Sequence, residues 1–129
     1  MRAAELFASV PVARLATVRA DGSPHLVPIV FAVAGDMIYS AVDAKPKRTR
    51  SLTRLANIAA NPRVSILADH YEHDWSRLWW VRADGVARVL DESPPALAAL
   101  TARYPQYRDT APPGPFLEIT VDRWSAWAP

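Results

Sequence analysis

"VARLATVRADGSPHLVPIVFAVAGDMIYSAV", residues 12–42, decides the fold. Its first part, "VARLATVR", reads as a strand. "ADGSP" follows, and Asp21-Gly22 is a strong hairpin signal because tight two-residue turns favour residues that tolerate positive φ. The returning segment, "HLVPIVFAV" at 25–33, is apolar on both faces, as a buried strand would be. Pro28 within it cannot donate to a ladder and implies a bulge or a locally free edge. Gly35-Asp36 makes the next turn and "MIYSAV" the next strand, so the stretch predicts a three-stranded meander.

Before it, residues 3–9 predict one short helix, stopped near Pro11. After Asp43 the pattern changes: Leu52, Leu55, Ala56 and Ala59 recur at helical spacing, and Asn61-Pro62 should end the run because the residue before proline avoids the α region. This places a helix at about 46–60, with Pro46 in its favoured first turn. "RVSILA" predicts a fourth strand and "HYEHDWS" a polar loop. "RLWWVRADGVARVL" alternates as one long strand bent at Gly85, since an interior glycine marks a bulge or tight bend. Pro94-Pro95 opens a helix carrying Leu97, Leu100 and Tyr104. "YPQYRDTAPPGP" is too proline-rich to be regular, and "FLEITVDRWSAW" alternates as a half-buried strand. Six strands with two or three short helices predict a mainly β (α+β) chain, a small antiparallel barrel with helices outside it.

Composition bounds the function. The chain has 129 residues, half of them hydrophobic, which suits one domain over residues 1–129 with one core. Fifteen basic and thirteen acidic residues leave a formal charge of +2, so any anion preference must be local. There is no cysteine, hence no disulfide, thiolate nucleophile or zinc-thiolate site, and a reducing, cytoplasmic setting is expected. The longest apolar run, Leu26 to Ala34, contains Pro28 and falls short of the roughly 20 residues of a membrane span, so no membrane association is expected. Glu5 and Arg14 interrupt any secretory-type apolar stretch near the start. No G-x-S-x-G, dinucleotide or P-loop motif occurs. His70, Glu72, His73 and Asp74 carry metal-ligand chemistry, but one short loop seldom supplies a three-ligand site, and no metal is expected.

The local anion preference has an address. "KPKRTR", residues 45–50, puts Lys45, Lys47, Arg48 and Arg50 at the start of the predicted helix, where the aligned peptide dipoles already carry positive charge. Cations at that end make physical sense if an anion, naturally a phosphate, sits on the free N–H groups among them. A plain solvated helix face is the alternative. Nucleic-acid binding is a third reading, weakened because the basic stretch holds no stacking aromatics.

The order of "LATVRADGSPHLVPI", "MIYSAVDAKPKRTRSLTRLANIAANPRVSILAD" and "LWWVRADGVARV" resembles the pyridoxamine-phosphate-oxidase-like flavin and deazaflavin proteins. Within them it is most similar to the actinobacterial branch that uses the deazaflavin coenzyme F420. The resemblance implies a split β-barrel of the FMN-binding type and a homodimer with two cofactor sites at the interface. Val27, Pro28 and Ile29 would lie along the ring system, and Tyr39, Ser40 and Ala41 would line the ribityl region. Lys45, Lys47, Arg48 and Thr49, with Arg50 nearby, would hold the phosphate. Trp75, Trp79 and Trp80 would come from the other subunit. FMN-binding members tend to show a serine-arginine-lysine pattern at the helix start and an arginine-bearing C-terminal segment. Here the pattern is K-P-K-R-T-R, and "RWSAW" is soon followed by Pro129, which favours F420 over FMN. Arg54 and Arg82 would suit the anionic tail of F420. The expected activity is hydride transfer from reduced F420 to a small unsaturated substrate, with Tyr39, His70 or solvent as proton source. A flavin, F420 or haem carrier of the same fold is the alternative. Trp124 and Trp127 are expected to pack.

Overall fold

The structure is a computed structural model that describes residues 3–42 and 49–129, the side chains of 49–52 excepted. Strands β1 (Ala13–Val18), β2 (Pro24–Ile29), β3 (Ala32–Ala34), β4 (Met37–Ala41), β5 (Arg63–His70), β6 (Trp79–Leu90) and β7 (Phe116–Trp127) form one sheet in the order β2-β1-β5-β6-β7-β4-β3. The outermost strands β2 and β3 are joined by only Val30 and Phe31. Flat, such a sheet would hold its edges about 29 Å apart, whereas this connection spans at most about 11 Å. The sheet therefore curls until its edges meet, which makes the mainly β, split-barrel architecture that the sequence predicts.

Helices α1 (Ala3–Ala8), α2 (Thr49–Ala60), α3 (Pro94–Arg103) and α4 (Pro105–Asp109) lie outside the sheet. The main core fills the curl with Phe7, Leu15, Phe31, Ile38, Ile66, Val81 and Ile119, all fully buried. A second cluster lies beneath α3, where Ala96 and Leu100 meet Ala32, Tyr39, Ala41 and Phe116. No helix among the described residues is long and apolar enough to cross a membrane.

Several expectations need correction. The segment 25–33 is two strands, because the chain must leave one sheet edge and join the other at Val30-Phe31. Far from being buried on both faces, β2 is an edge strand with Pro24, Leu26 and Pro28 exposed. Pro28 thus sits where a missing N–H costs least. Among the described side chains of α2 the buried ones are Asn57 and Ile58, while Ala56 and Ala59 face outward. The proline-rich stretch after Tyr104 includes one short helix, α4, with Pro105 in its first turn. The bend in β6 falls between Asp84 and Gly85, as the glycine predicts. The extra residue is on the partner strand: Asp84 pairs with Arg123 and Gly85 with Val121, leaving Asp122 unpaired in the ladder.

Candidate functional site

Register fixes which side chains share the outer face of the curl. One row runs Leu26, Ala16, Ser65, Asp84, Arg123, and the next runs Pro28, Arg14, Leu67, Arg82, Ser125. Asp69, Trp80 and Trp127 form a third. The face is apolar with charges laced through it: Leu26 is 66% exposed and Trp127 43%, while Arg14 pairs with Asp69 at 3.8 Å and Arg82 with Asp84 at 3.2 Å. Burial opposes ionisation of Asp84, but hydrogen bonds from Ser65 at 2.5 Å and from Arg82 outweigh it and lower its pKa. Leu67, Asp69, Tyr71, Trp80 and Arg82 line an open hollow of about 250 Å³, and the Arg82 guanidinium lies 5.7 Å from the Trp80 ring centre.

Beside this face, the loop after β5 is held by polar contacts. His70 Nε2 meets Glu72 Oε2, and Arg77 Nε donates to the same carboxylate oxygen at 3.1 Å. The histidine bond and the Arg77 charge lower the Glu72 pKa. Asp74 accepts from the Ser76 N–H at 3.1 Å and so caps the 3-10 turn Trp75–Arg77, on which Trp75 is 76% exposed. Sequence proximity in "HYEHD" thus becomes a locally satisfied loop.

On the other side of β2, His25 pairs in register with Thr17, whose Oγ1 accepts from Asn57 Nδ2 of α2 at 3.0 Å. His25 shares that face and turns toward α2. Its Nδ1 is buried without a hydrogen-bond partner. Burial lowers the imidazole pKa, and the charges of Arg19 and Arg54 lower it further.

The residues named from sequence divide clearly. Lys45, Lys47 and Arg48 lie outside the described residues, and Thr49 and Arg50 open α2 by backbone. Pro28 lies exposed on the free edge, Val27 packs partly against the core and Ile29 is buried. Tyr39 and Ala41 are buried under α3, and Ser40 donates to the Val30 carbonyl at 2.8 Å. Trp79 packs against the core and Trp80 faces outward, so the three tryptophans do not form one platform within the chain. Trp124 packs against Phe7 as expected, with ring centres 5.4 Å apart, whereas Trp127 lies half-exposed on the outer face. Tyr71, Asp69 and the buried face of His25 were not singled out; only the pairing of distant strands and the docking of α2 bring them into view.

Residues 2–128 match the family model described as pyridoxamine 5'-phosphate oxidase. The chain belongs to that family. Among solved structures it is similar to the conserved hypothetical protein Rv2991 of Mycobacterium tuberculosis, at 26% identity and a TM-score of 0.74 over 97% of this chain and 81% of that one. A FAD-binding protein of Mesorhizobium loti is 23% identical, with a TM-score of 0.70 over 95% and 88% of the two chains. The heme storage protein HutZ of Vibrio cholerae is 18% identical, with a TM-score of 0.69 over 96% and 89%. No curated protein matches the chain. In this pyridoxamine 5'-phosphate oxidase family member, the guanidinium charges of Arg19 and Arg54 act beside α2 on His25, whose buried Nδ1 has no hydrogen-bond partner.

Proposed function

We propose that this chain binds the deazaflavin coenzyme F420 at the interface of a homodimer and acts as an F420-dependent oxidoreductase, within the actinobacterial branch of its family. The run Lys45, Lys47, Arg48 and Arg50 carries the reading, because it leads into α2 with no acid in the first turn to offset it. Cations crowded at the positive end of a helix dipole are stabilised when an oxyanion sits among them. Lys45, Lys47 and Arg48 would take the phosphate, with Thr49 and Arg50 alongside. The edge strand β2, which has no strand partner beyond Val27, Pro28 and Ile29 on its outer side among the described residues, would offer its backbone to the ring edge. Ser40 and its neighbours Tyr39 and Ala41 would hold that edge in place. A second copy would bring Trp75, Trp79 and Trp80. K-P-K-R-T-R also departs from the serine-arginine-lysine pattern of FMN-binding relatives.

When bound, the coenzyme supplies hydride for reduction of an activated double bond in a small planar substrate. The protein's part is to bind, orient and exclude water. Tyr39 lies beneath α3 and His70 is engaged by Glu72, so neither stands ready to deliver a proton, and water is the donor in this reading. The second reading, a carrier of flavin or haem, draws support from similar solved structures described as FAD-binding and as heme storage.

Titration of the protein with F420, FMN and haem in parallel separates the two. F420 should bind tightest, and reduced F420 should be oxidised when a suitable unsaturated acceptor is added. Lys47→Glu with Arg48→Glu should weaken F420 binding at least about tenfold, a change of roughly 1.4 kcal/mol, with the circular dichroism spectrum unchanged. Equal affinity in that variant would remove the phosphate assignment, and haem binding without F420 binding would transfer the reading to the carrier.

A further inference from the structure

We infer that His25, Arg19 and Arg54 form a second oxyanion subsite on the α2-facing side of β2, one that takes a carboxylate or phosphate group of a bound ligand beyond the phosphate at the helix start. The inference rests on the coenzyme reading for the identity of the ligand but not for the chemistry of the subsite. Its first support is an unmet need: a buried polar atom left without a partner is destabilising, and His25 Nδ1 is such an atom. Its second is placement. Arg54 precedes Asn57 by three residues, so the two share one helix face, and Asn57 is bonded to Thr17, the residue directly across from His25. From the hairpin, Arg19 is steadied by donating to the neutral Pro24 carbonyl at 2.6 Å, while its charge also acts on Asp21.

The groups around the imidazole are therefore Arg19 from the end of β1, Arg54 and Asn57 from α2, and Thr17 across the strand pair. The hairpin's carboxylate, Asp21, is turned to the Ser23 N–H and hydroxyl at 2.9 and 2.6 Å. Burial first, and then both guanidinium charges, lower the His25 pKa. An oxyanion entering the cluster offsets those charges and accepts from a protonated Nδ1–H, which raises the imidazole pKa. Binding and proton uptake are then linked, so affinity rises as pH falls.

The test uses the full chain and two simple oxyanions. Sulfate keeps its charge over the working range and stands for a phosphate, and glutarate stands for a carboxylate tail. Imidazole resonances are followed by NMR through a pH titration with and without each anion. The His25 pKa should rise by about one unit when either anion is bound. Sulfate should bind several-fold more tightly at about pH 5.5 than at about pH 7.5. His25→Ala should lose about tenfold in affinity together with the pH dependence. His25→Asn keeps a donor near the Nδ1 position and should retain binding with a flat pH profile. Tighter sulfate assigns the subsite to phosphate, and tighter glutarate to a carboxylate. An unmoved His25 titration in the presence of both anions overturns the subsite, even if F420 still binds and still depends on Lys47 and Arg48. A responsive His25 in a protein that binds no redox coenzyme keeps the subsite and sinks only the coenzyme reading.

Discussion

Gly85 shows how much one position decides. A Cβ built there would overlap the carbonyl oxygen of Thr120, and the neighbouring Val121 backbone is also within contact. Backbone of a paired strand cannot swing aside as a side chain can. Gly85→Ala should therefore destabilise the fold by about 3 kcal/mol, read as a drop of roughly 10 °C in the thermal midpoint. A midpoint within a degree of the parent would mean the β6–β7 pairing is looser than the register implies. The glycine was legible as a bend because it interrupts an alternating run. That the extra residue would be Asp122, steadied by Arg63 at 3.2 Å, was not, since bulge position depends on a strand some thirty-five residues away in sequence. His25 was opaque for the same reason: its neighbours across the strand and on α2 are chosen by tertiary pairing, not by local pattern.

At the scale of elements, the turns and the periodic strands were readable because glycine, proline and two-residue alternation act locally. The seam was not. "HLVPIVFAV" contains no punctuation at Val30-Phe31, and what divides it is closure of the sheet. Three elements converge to hold that crossing. Ser40 donates to the Val30 carbonyl, and the Tyr104 hydroxyl accepts from the Phe31 N–H at 2.9 Å and donates to its carbonyl at 2.8 Å, with the Pro11 carbonyl at 3.1 Å. Arg103, whose guanidinium stacks 4.6 Å from the Phe31 ring centre, bonds the Val10 carbonyl. Removing the hydroxyl with Tyr104→Phe strands a buried N–H and weakens the clamp while keeping the ring in place. The expected loss is about 2 kcal/mol in denaturant unfolding, with an unchanged slope. Amide exchange of Phe31 should quicken in step. If exchange and stability both match the parent, α3 does not close the barrel.

For the whole molecule, curling the sheet leaves an outer face on which Leu26 and Trp127 stand exposed among the described residues. Leu26, Pro28, Leu67, Trp80 and Trp127 lie on it within a few strands, interleaved with the Arg14–Asp69 and Arg82–Asp84 pairs. Exposed large apolar side chains gathered on one face, even with charged pairs between them, are a mark of a contact site. The sequence named both a cationic run, of which Lys45, Lys47 and Arg48 lie outside the described residues, and three tryptophans, but not which way each tryptophan faces. Register alone tells Trp80, which faces out, from Trp79, which packs inward. A second copy seated on this face would bury Leu26, bring its tryptophans to the edge of β2 and complete the coenzyme cleft. Sedimentation at micromolar concentration should accordingly show a dimer. Leu26→Glu, a change at a side chain that adds little to the chain's own core, should yield a folded monomer with F420 affinity reduced by at least about tenfold. A parent protein that sediments as a monomer and still binds F420, or a Leu26→Glu protein that remains dimeric, would mean that the cleft is formed elsewhere.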